Sequence, residues 1–293
     1  DKIFRIKNEF AQENNFEEEL LRPVLVGGEI DKYKIKNTKH SLIYTDRSTE
    51  ISNYENIENY LEPFKEKLNN RSEAKSGVMP WFSLNRQRYA NLFEEEKIIM
   101  RQTSDRIRAT FDSESYYVID SILVFKKKVD CVFTYKFILA ILNSTVNGFL
   151  YNKFSQEGGR TFAQVKPKNV RKLYIPKISN TNQQYFDVIV DYLSVVSKTE
   201  NIGKDLFSFF ELVLDAVSFE LFLPNEFQSA NKTILKHLSD LKPINEDMSD
   251  EEKLGIIQSE YERLYHPDHP VRFAIETLDS IEEVRIIREA LKS

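Results

Sequence analysis

The spacing of apolar and polar residues changes along this chain. Up to about residue 52, short alternating runs such as KIFRI and SLIYT are separated by turn residues, notably VGGEIDKY, which predicts a mostly stranded segment. Residues 53–71, NYENIENYLEPFKEKLNNR, place apolar side chains at helical spacing, with Pro63 suited to the first turn of a second short helix. RSEAKSG reads as an exposed loop. From residue 97 alternation and β-branched residues return in KIIMRQT, RIRATFD and YYVIDSILVF, and KKKVD makes a turn after the last. TYKFILAILNSTVNGFLYNKF then predicts one long helix over 134–154 with Thr134 as its N-cap.

Beyond about residue 180 the strand pattern ends. NQQYFDVIVDYLSVVSKT, DLFSFFELVLDAVSFELF, EFQSANKTILKHLSD and SDEEKLGIIQSEYERLY repeat apolar residues at intervals of three and four, with short loops between. The expected fold class is therefore α+β: a mixed or antiparallel β domain with interspersed helices over residues 1–180, then an all-α C-terminal domain over residues 181–293.

Composition adds that the chain is globular, because 41% apolar and 30% charged residues with 21 Phe and 14 Tyr can bury a core. The apolar runs are too short to span a bilayer, so no membrane partner is expected. The N-terminus DKIFRIKNEF has neither an initiator Met nor a signal-peptide core and reads as the start of a fragment of a longer chain. The one cysteine, Cys131, lies in an apolar stretch, reads as a core residue and has no internal partner, which points to a reducing compartment, the cytoplasm.

Charge is polarised. The net value of −5 argues against a nucleic-acid partner until it is divided along the chain. Residues 1–180 hold 30 Lys and Arg against 24 acids, residues 75–180 hold 18 against 9, and residues 181–293 hold 11 against 22. Only the N-terminal part is suited to an anionic surface.

Catalytic patterns are missing. There is no G-x-G-x-x-G, no Walker A loop and no Asn-Pro-Pro-Tyr-type loop, and eight glycines leave little material for a cofactor cradle. His266 and His269 in YHPDHPVR are separated by prolines that break the helical geometry of a zinc pair, so they read as a turn capping two helices. Glu95-Glu96-Lys97 could supply half of a PD-(D/E)xK nuclease site, but without an upstream Pro-Asp it reads as a solvated acidic helix end. No catalytic residue, metal ligand or cofactor is expected in these residues.

What remains is four cationic clusters: Arg86, Gln87 and Arg88; Arg101, Gln102, Arg106 and Arg108; Lys126 to Lys128; and Arg160, Lys166, Lys168, Arg171 and Lys172. In a strand RIRATFD, Arg106 and Arg108 would share a face and join Arg101 and Gln102 in a basic band. Arginine and glutamine are the side chains that read guanine and adenine edges bidentately. Gly158 and Gly159 allow a close backbone approach just before Arg160. The lysines of KKKVD are ordinary turn decoration.

These segments also carry a resemblance. LLRPVLVGGEIDKYKI, LIYT, NIENYLEPFKEKL, PWFSLNRQRYANLFEEEKIIMRQTSDRIRATFD, YYVIDSILVF, FILAILNSTVNGFLYNKFS and GGRTFAQVKPKNVRKLYIPKI, in that order over roughly residues 20–180, resemble the TaqI-like C-terminal specificity domain. That domain is the target-recognition module of N6-adenine DNA methyltransferases and type IIG restriction-modification enzymes. The segments DAVSFELF and YHPDHPVRFAIETLDSIEEVRIIREA are similar to parts that follow it. The resemblance implies double-stranded DNA as partner and a methyltransferase domain upstream that uses S-adenosylmethionine. In type IIG enzymes a nuclease with its divalent metal lies further upstream. It assigns DNA contact to Arg101, Gln102, Arg106 and Arg108 at bases or backbone, and to Arg86, Arg88, Arg160, Lys166 and Lys168 at phosphates. Helices 181–293 become a bracing or docking element. A stand-alone specificity subunit, or a protein-interaction module with an incidental basic surface, is the competing reading.

Overall fold

The alternating segments form nine short strands among the described residues: β1 (Arg5–Lys7), β2 (Leu21–Leu25), β3 (Ile30–Asp31), β4 (Lys34–Ile35), β5 (His40–Ile43), β6 (Lys97–Arg101), β7 (Ala109–Asp112), β8 (Tyr117–Val118) and β9 (Ile122–Phe125). The computed structural model describes residues 2–36, 38–84, 91–155, 163–199 and 203–292. The fold is α+β, as the spacing predicts. Its chain divides into one unit made of residues 1–29, 37–97 and 112–122, and a second made of 30–36, 98–111 and 123–293. The helices after residue 180 therefore share a unit with parts of the segment expected to fold before them.

In the first unit a four-stranded sheet has the order β1-β5-β2-β8. β1 and β2 flank β5 antiparallel, while β8 joins β2 in parallel, Val24 opposite Tyr117. Strands this short gain little from pairing alone, so burial must stabilise them. Phe4, Ile6 and Ile43 pack with Ile57, Leu61 and Leu68 from the helical segment after residue 54, where Pro63 does begin a turn. Residues 1–52 are less stranded than expected: Asn8–Glu13 is a helix. RSEAKSG likewise contains a short helix, Ser72–Lys75, before Gly77 at φ +71°. Arg71 reaches past it, donating to the carbonyls of Trp81 and Ser83 at 2.6 and 2.9 Å.

Lys97 corrects the reading of Glu95-Glu96-Lys97 as a solvated helix end. Glu95 and Glu96 are exposed, but Lys97 is fully buried and lies 2.6 Å from the equally buried Asp112. Its ammonium also donates to the Phe93 carbonyl. Asp112 accepts the amides of Glu114 and Tyr116 at 2.9 and 3.2 Å. The lysine is structural.

In the second unit β7, β6 and β9 form a sheet in that order, and β3 and β4 form a hairpin. YYVIDSILVF is not one strand; it turns at Ile119, whose carbonyl accepts the Ile122 amide, and splits into β8 and β9. The expected helix 134–154 is two helices. Thr134 caps the first, Tyr135–Asn143, through the Phe137 amide. Ser144 is extended at ψ 152°, its hydroxyl donating to the Ile141 carbonyl and accepting the Asn147 amide. The second helix, Thr145–Ser155, starts with its first amide on Asp215, 2.7 Å away, a carboxylate where the helix dipole favours one. The Ser144 hydroxyl is the side-chain group that competes with the helical ladder here.

Asn180–Val196, Gly203–Phe222 and Asp250–Leu264 form where their periodicity placed them, the last behind a Ser249–Glu252 capping box. EFQSANKTILKHLSD is not one helix: Pro224–Ser229 ends before Asn231, which is left-handed at φ 53°, and only a 3-10 turn follows at Leu235–His237. Cys131 is half-buried beside the KKKVD turn rather than in the core.

Ala109 joins three of these elements. Its amide donates to Asn143 Oδ1 at 3.0 Å, and its carbonyl accepts Asn143 Nδ2 at 2.9 Å and the Tyr33 amide at 3.0 Å. Asn143→Leu should lower the unfolding free energy by about 1–3 kcal/mol, the cost of a buried amide left unpaired, in urea denaturation. Asp112→Ala should cost about 3–5 kcal/mol in the same assay, with Lys97→Met/Asp112→Leu restoring most of it, because a buried charge without its partner is worse than none.

Candidate nucleic-acid interface

The β6–β7 connection carries the second cationic cluster, and a distant segment is laid along it. Thr103 forms an antiparallel bridge with Gln164, and the Val165 amide donates to the Gln102 carbonyl at 2.7 Å. Tyr151, buried on the Thr145–Ser155 helix, fastens that segment: its hydroxyl donates to the Gln164 carbonyl at 3.3 Å and accepts the Lys166 amide at 2.9 Å. Pro167 then opens the short helix Pro167–Val170, which places Lys168 at the surface. Two clusters separated by some sixty residues, Arg101–Arg108 and Lys166–Lys172, thus meet in one unit.

Within the loop the arginines differ from their expected placement. β7 begins only at Ala109, so Arg106 and Arg108 lie outside it and do not share a strand face. Ile107 is buried between them and they take separate partners. Arg106 is exposed and reaches Asp105 at 3.0 Å; Arg108 is half-buried and reaches Asp31, on the β3–β4 hairpin, at 2.8 Å. Arg101 donates through Nε to the Thr103 carbonyl at 2.7 Å, shaping the turn, and the Gln102 side chain is half-exposed.

The segments 30–36, 98–111 and 163–172 hold ten cations and two carboxylates, Asp31 and Asp105. Both acids are engaged. The Arg106 guanidinium holds the Asp105 carboxyl below its ordinary value. At Asp31 burial pushes the carboxyl up, but the Lys32 amide, Arg108 and the nearby Lys36 outweigh it. Both acids stay ionised at neutral pH, and the local balance remains strongly positive.

The hairpin contributes cations that sequence reading passed over. Lys32 is spoken for by Glu211 at 3.0 Å, while Lys34 and the exposed Lys36 flank the Arg108–Asp31 contact. Three lysines at alternate positions in DKYKIK are a weak signal, and the hairpin's Tyr33 amide bond to Ala109 gives them their place. Lys127 belongs to the turn it decorates, donating to the Phe133 carbonyl at 3.0 Å. Arg86, Arg88 and Arg160, with Gln87, lie outside the described residues.

The His266–His269 turn is a cap. His269 Nδ1 accepts the Val271 amide at the start of Pro270–Glu276, as its proline setting suggested. Among the described residues no group of three or more His, Cys, Asp or Glu could hold a metal ion, and no helix is long and apolar enough to cross a membrane.

Residues 22–176, just over half of the chain, match the model of the TaqI-like C-terminal specificity domain. The matched span contains both the 101–108 loop and the 163–172 segment that bridges to it. No curated protein matches the chain.

Surface ion pairs of this kind contribute little, about 0–1 kcal/mol. Arg106→Ala and Lys168→Ala should each change the unfolding free energy by less than about 0.5 kcal/mol in urea denaturation. A larger loss would mean that these cations support the fold.

Proposed function

The chain belongs to the TaqI-like C-terminal specificity domain family, and we propose that it recognises a specific sequence in double-stranded DNA for a restriction-modification enzyme. The observation that carries this reading is the bridge of Thr103 to Gln164, which lays the segment bearing Lys166 and Lys168 against the turn bearing Arg101, Gln102 and Arg106. Phosphate contacts fix register and base-edge contacts read sequence, and the two tasks want different side chains. Lys166, Lys168 and Arg106 suit the backbone, and with them Arg86, Arg88 and Arg160. Gln102, on the turn after β6, and Arg101, the last residue of that strand, suit adenine and guanine edges. Arg108 is engaged by Asp31 and serves mainly to hold the two hairpins together.

A specificity domain makes no bond. In the proposed parent, an N6-adenine methyltransferase domain upstream binds S-adenosylmethionine and takes the target adenine out of the stack, since a stacked base cannot reach a methyl donor. A type IIG parent adds a nuclease with its divalent metal, and the enzyme works in the cytoplasm. The helices beyond residue 180, with 11 cations against 22 acids, repel a phosphate backbone and suit a bracing or docking role. The sequence encoded immediately before Asp1 separates a fused enzyme from a stand-alone subunit.

The chain should bind short duplexes with a log affinity that falls linearly with log salt. Lys166→Ala and Lys168→Ala should each flatten the slope by about 0.9 and weaken all sequences alike, and Arg160→Ala should do the same. Gln102→Ala should instead cost about 1–3 kcal/mol on the preferred site and little elsewhere. Both are read by fluorescence anisotropy between low and moderate salt. A response flat in salt would favour a protein-interaction module.

A further inference from the structure

The acidic C-terminal region contains one pocket of opposite character. A cleft of about 370 Å³ is lined by Lys232, Lys236, His237, Asp268, His269 and Phe273, among others. It forms because Asn231 turns left-handed after Pro224–Ser229 and sends Lys232 inward, opposite the proline turn before Pro270–Glu276.

Lys232 is only 6% exposed, yet no carboxylate among the described residues pairs with it. Its ammonium donates to the carbonyl and hydroxyl of Thr277 and to Ser280 Oγ, all neutral oxygens, and stands 5.3 Å from the Phe273 ring. A buried cation is normally paired, because desolvation penalises the uncompensated charge. Three more lining side chains, Lys236, His237 and His269, are cationic or able to become so. Lys236 is exposed, and the His237 and His269 rings stand 6.2 Å apart. His269 Nδ1 accepts the Val271 amide, so its proton sits on Nε2 as a donor. The lining carboxylate, Asp268, is 93% exposed and faces His266.

We propose that this cleft binds a phosphate group, with Lys236, His237 and His269 Nε2–H as donors and Lys232 as the buried counter-charge. Lysine and imidazole are point donors that suit a tetrahedral oxyanion, and the lining lacks the guanidinium fork that favours a planar carboxylate. The charged groups around the imidazoles agree. Burial and then Lys236 lower the His237 pKa; burial and then Arg263, His237 and His266 lower that of His269. An anion in the cleft offsets those positive charges and favours the proton on His237, whereas His269 keeps its cap by remaining neutral. This pocket is independent of the 101–108 loop and of the DNA reading.

The test is a titration of the whole 293-residue chain with inorganic phosphate, with sulfate and with a short duplex, following the imidazole proton signals of His237 and His269 by NMR at constant ionic strength. Phosphate and sulfate should both shift these signals. Lys236→Gln, a surface change whose folding is checked by circular dichroism, should weaken phosphate binding by about tenfold or more. Sulfate keeps its charge between pH 8 and 6, so tighter sulfate binding at pH 6 reports protonation of His237 and should be lost in His237→Gln. The same shifts with duplex identify the phosphate as a DNA backbone; shifts with phosphate alone identify a free phosphorylated compound. The proposal is overturned if neither anion moves the signals more than chloride does, or if Lys236→Gln binds phosphate as tightly as the unaltered chain.

Discussion

The peptide of Ala109 is the point on which the basic surface is hung. It is buried, so its amide and carbonyl must both find partners, and it uses Asn143 for one and Asn143 with Tyr33 for the other. Those bonds fix the start of β7 to the end of a helix and to the β3–β4 hairpin at once. The position of the loop 102–108 follows from where its two strands are pinned and from the Gln164–Val165 segment bonded along it. Ser144 ends that helix one residue later, which frees Thr145 to begin another that carries Tyr151 to the Gln164–Lys166 segment. One buried polar contact and one helix break therefore bring two basic clusters together.

Charge follows depth in this molecule. Where a cation is deep it is structural, as Lys97 is with Asp112. Where cations gather at the surface their acids are few and already engaged, so the positive field survives. Pairs such as Arg106–Asp105 hold weakly and can yield to a phosphate, whereas Lys97 cannot be drawn out without exposing a carboxylate to an apolar surrounding. Lys232 belongs to neither class, since it is deep and faces only neutral oxygens.

Legibility tracked the range of the interaction. Thr134 was readable because a cap involves residues three apart, and the long helices after 180 because their periodicity is local. The hairpin arginines were misplaced for the same reason in reverse. RIRATFD alternates well enough for a strand, but Ile107 is buried in the unit's core and pairing starts only where Ala109 finds Asn143, 34 residues away. Lys97 looked solvated because its carboxylate is not beside it in sequence. The lysines of DKYKIK carried no notice that the hairpin docks on Ala109.

The sequence by itself determined the α+β class, the long helices beyond residue 180, the polarised charge and the order of segments that the family shares, since composition, period and order need no partner. Tertiary structure alone decided that Thr103 meets Gln164, that the helix after Thr134 breaks at Ser144, and that Lys97 is buried while Lys168 is exposed. Each of those depends on satisfying a backbone or charged group with a partner far along the chain, and that pairing exists only once the chain has folded.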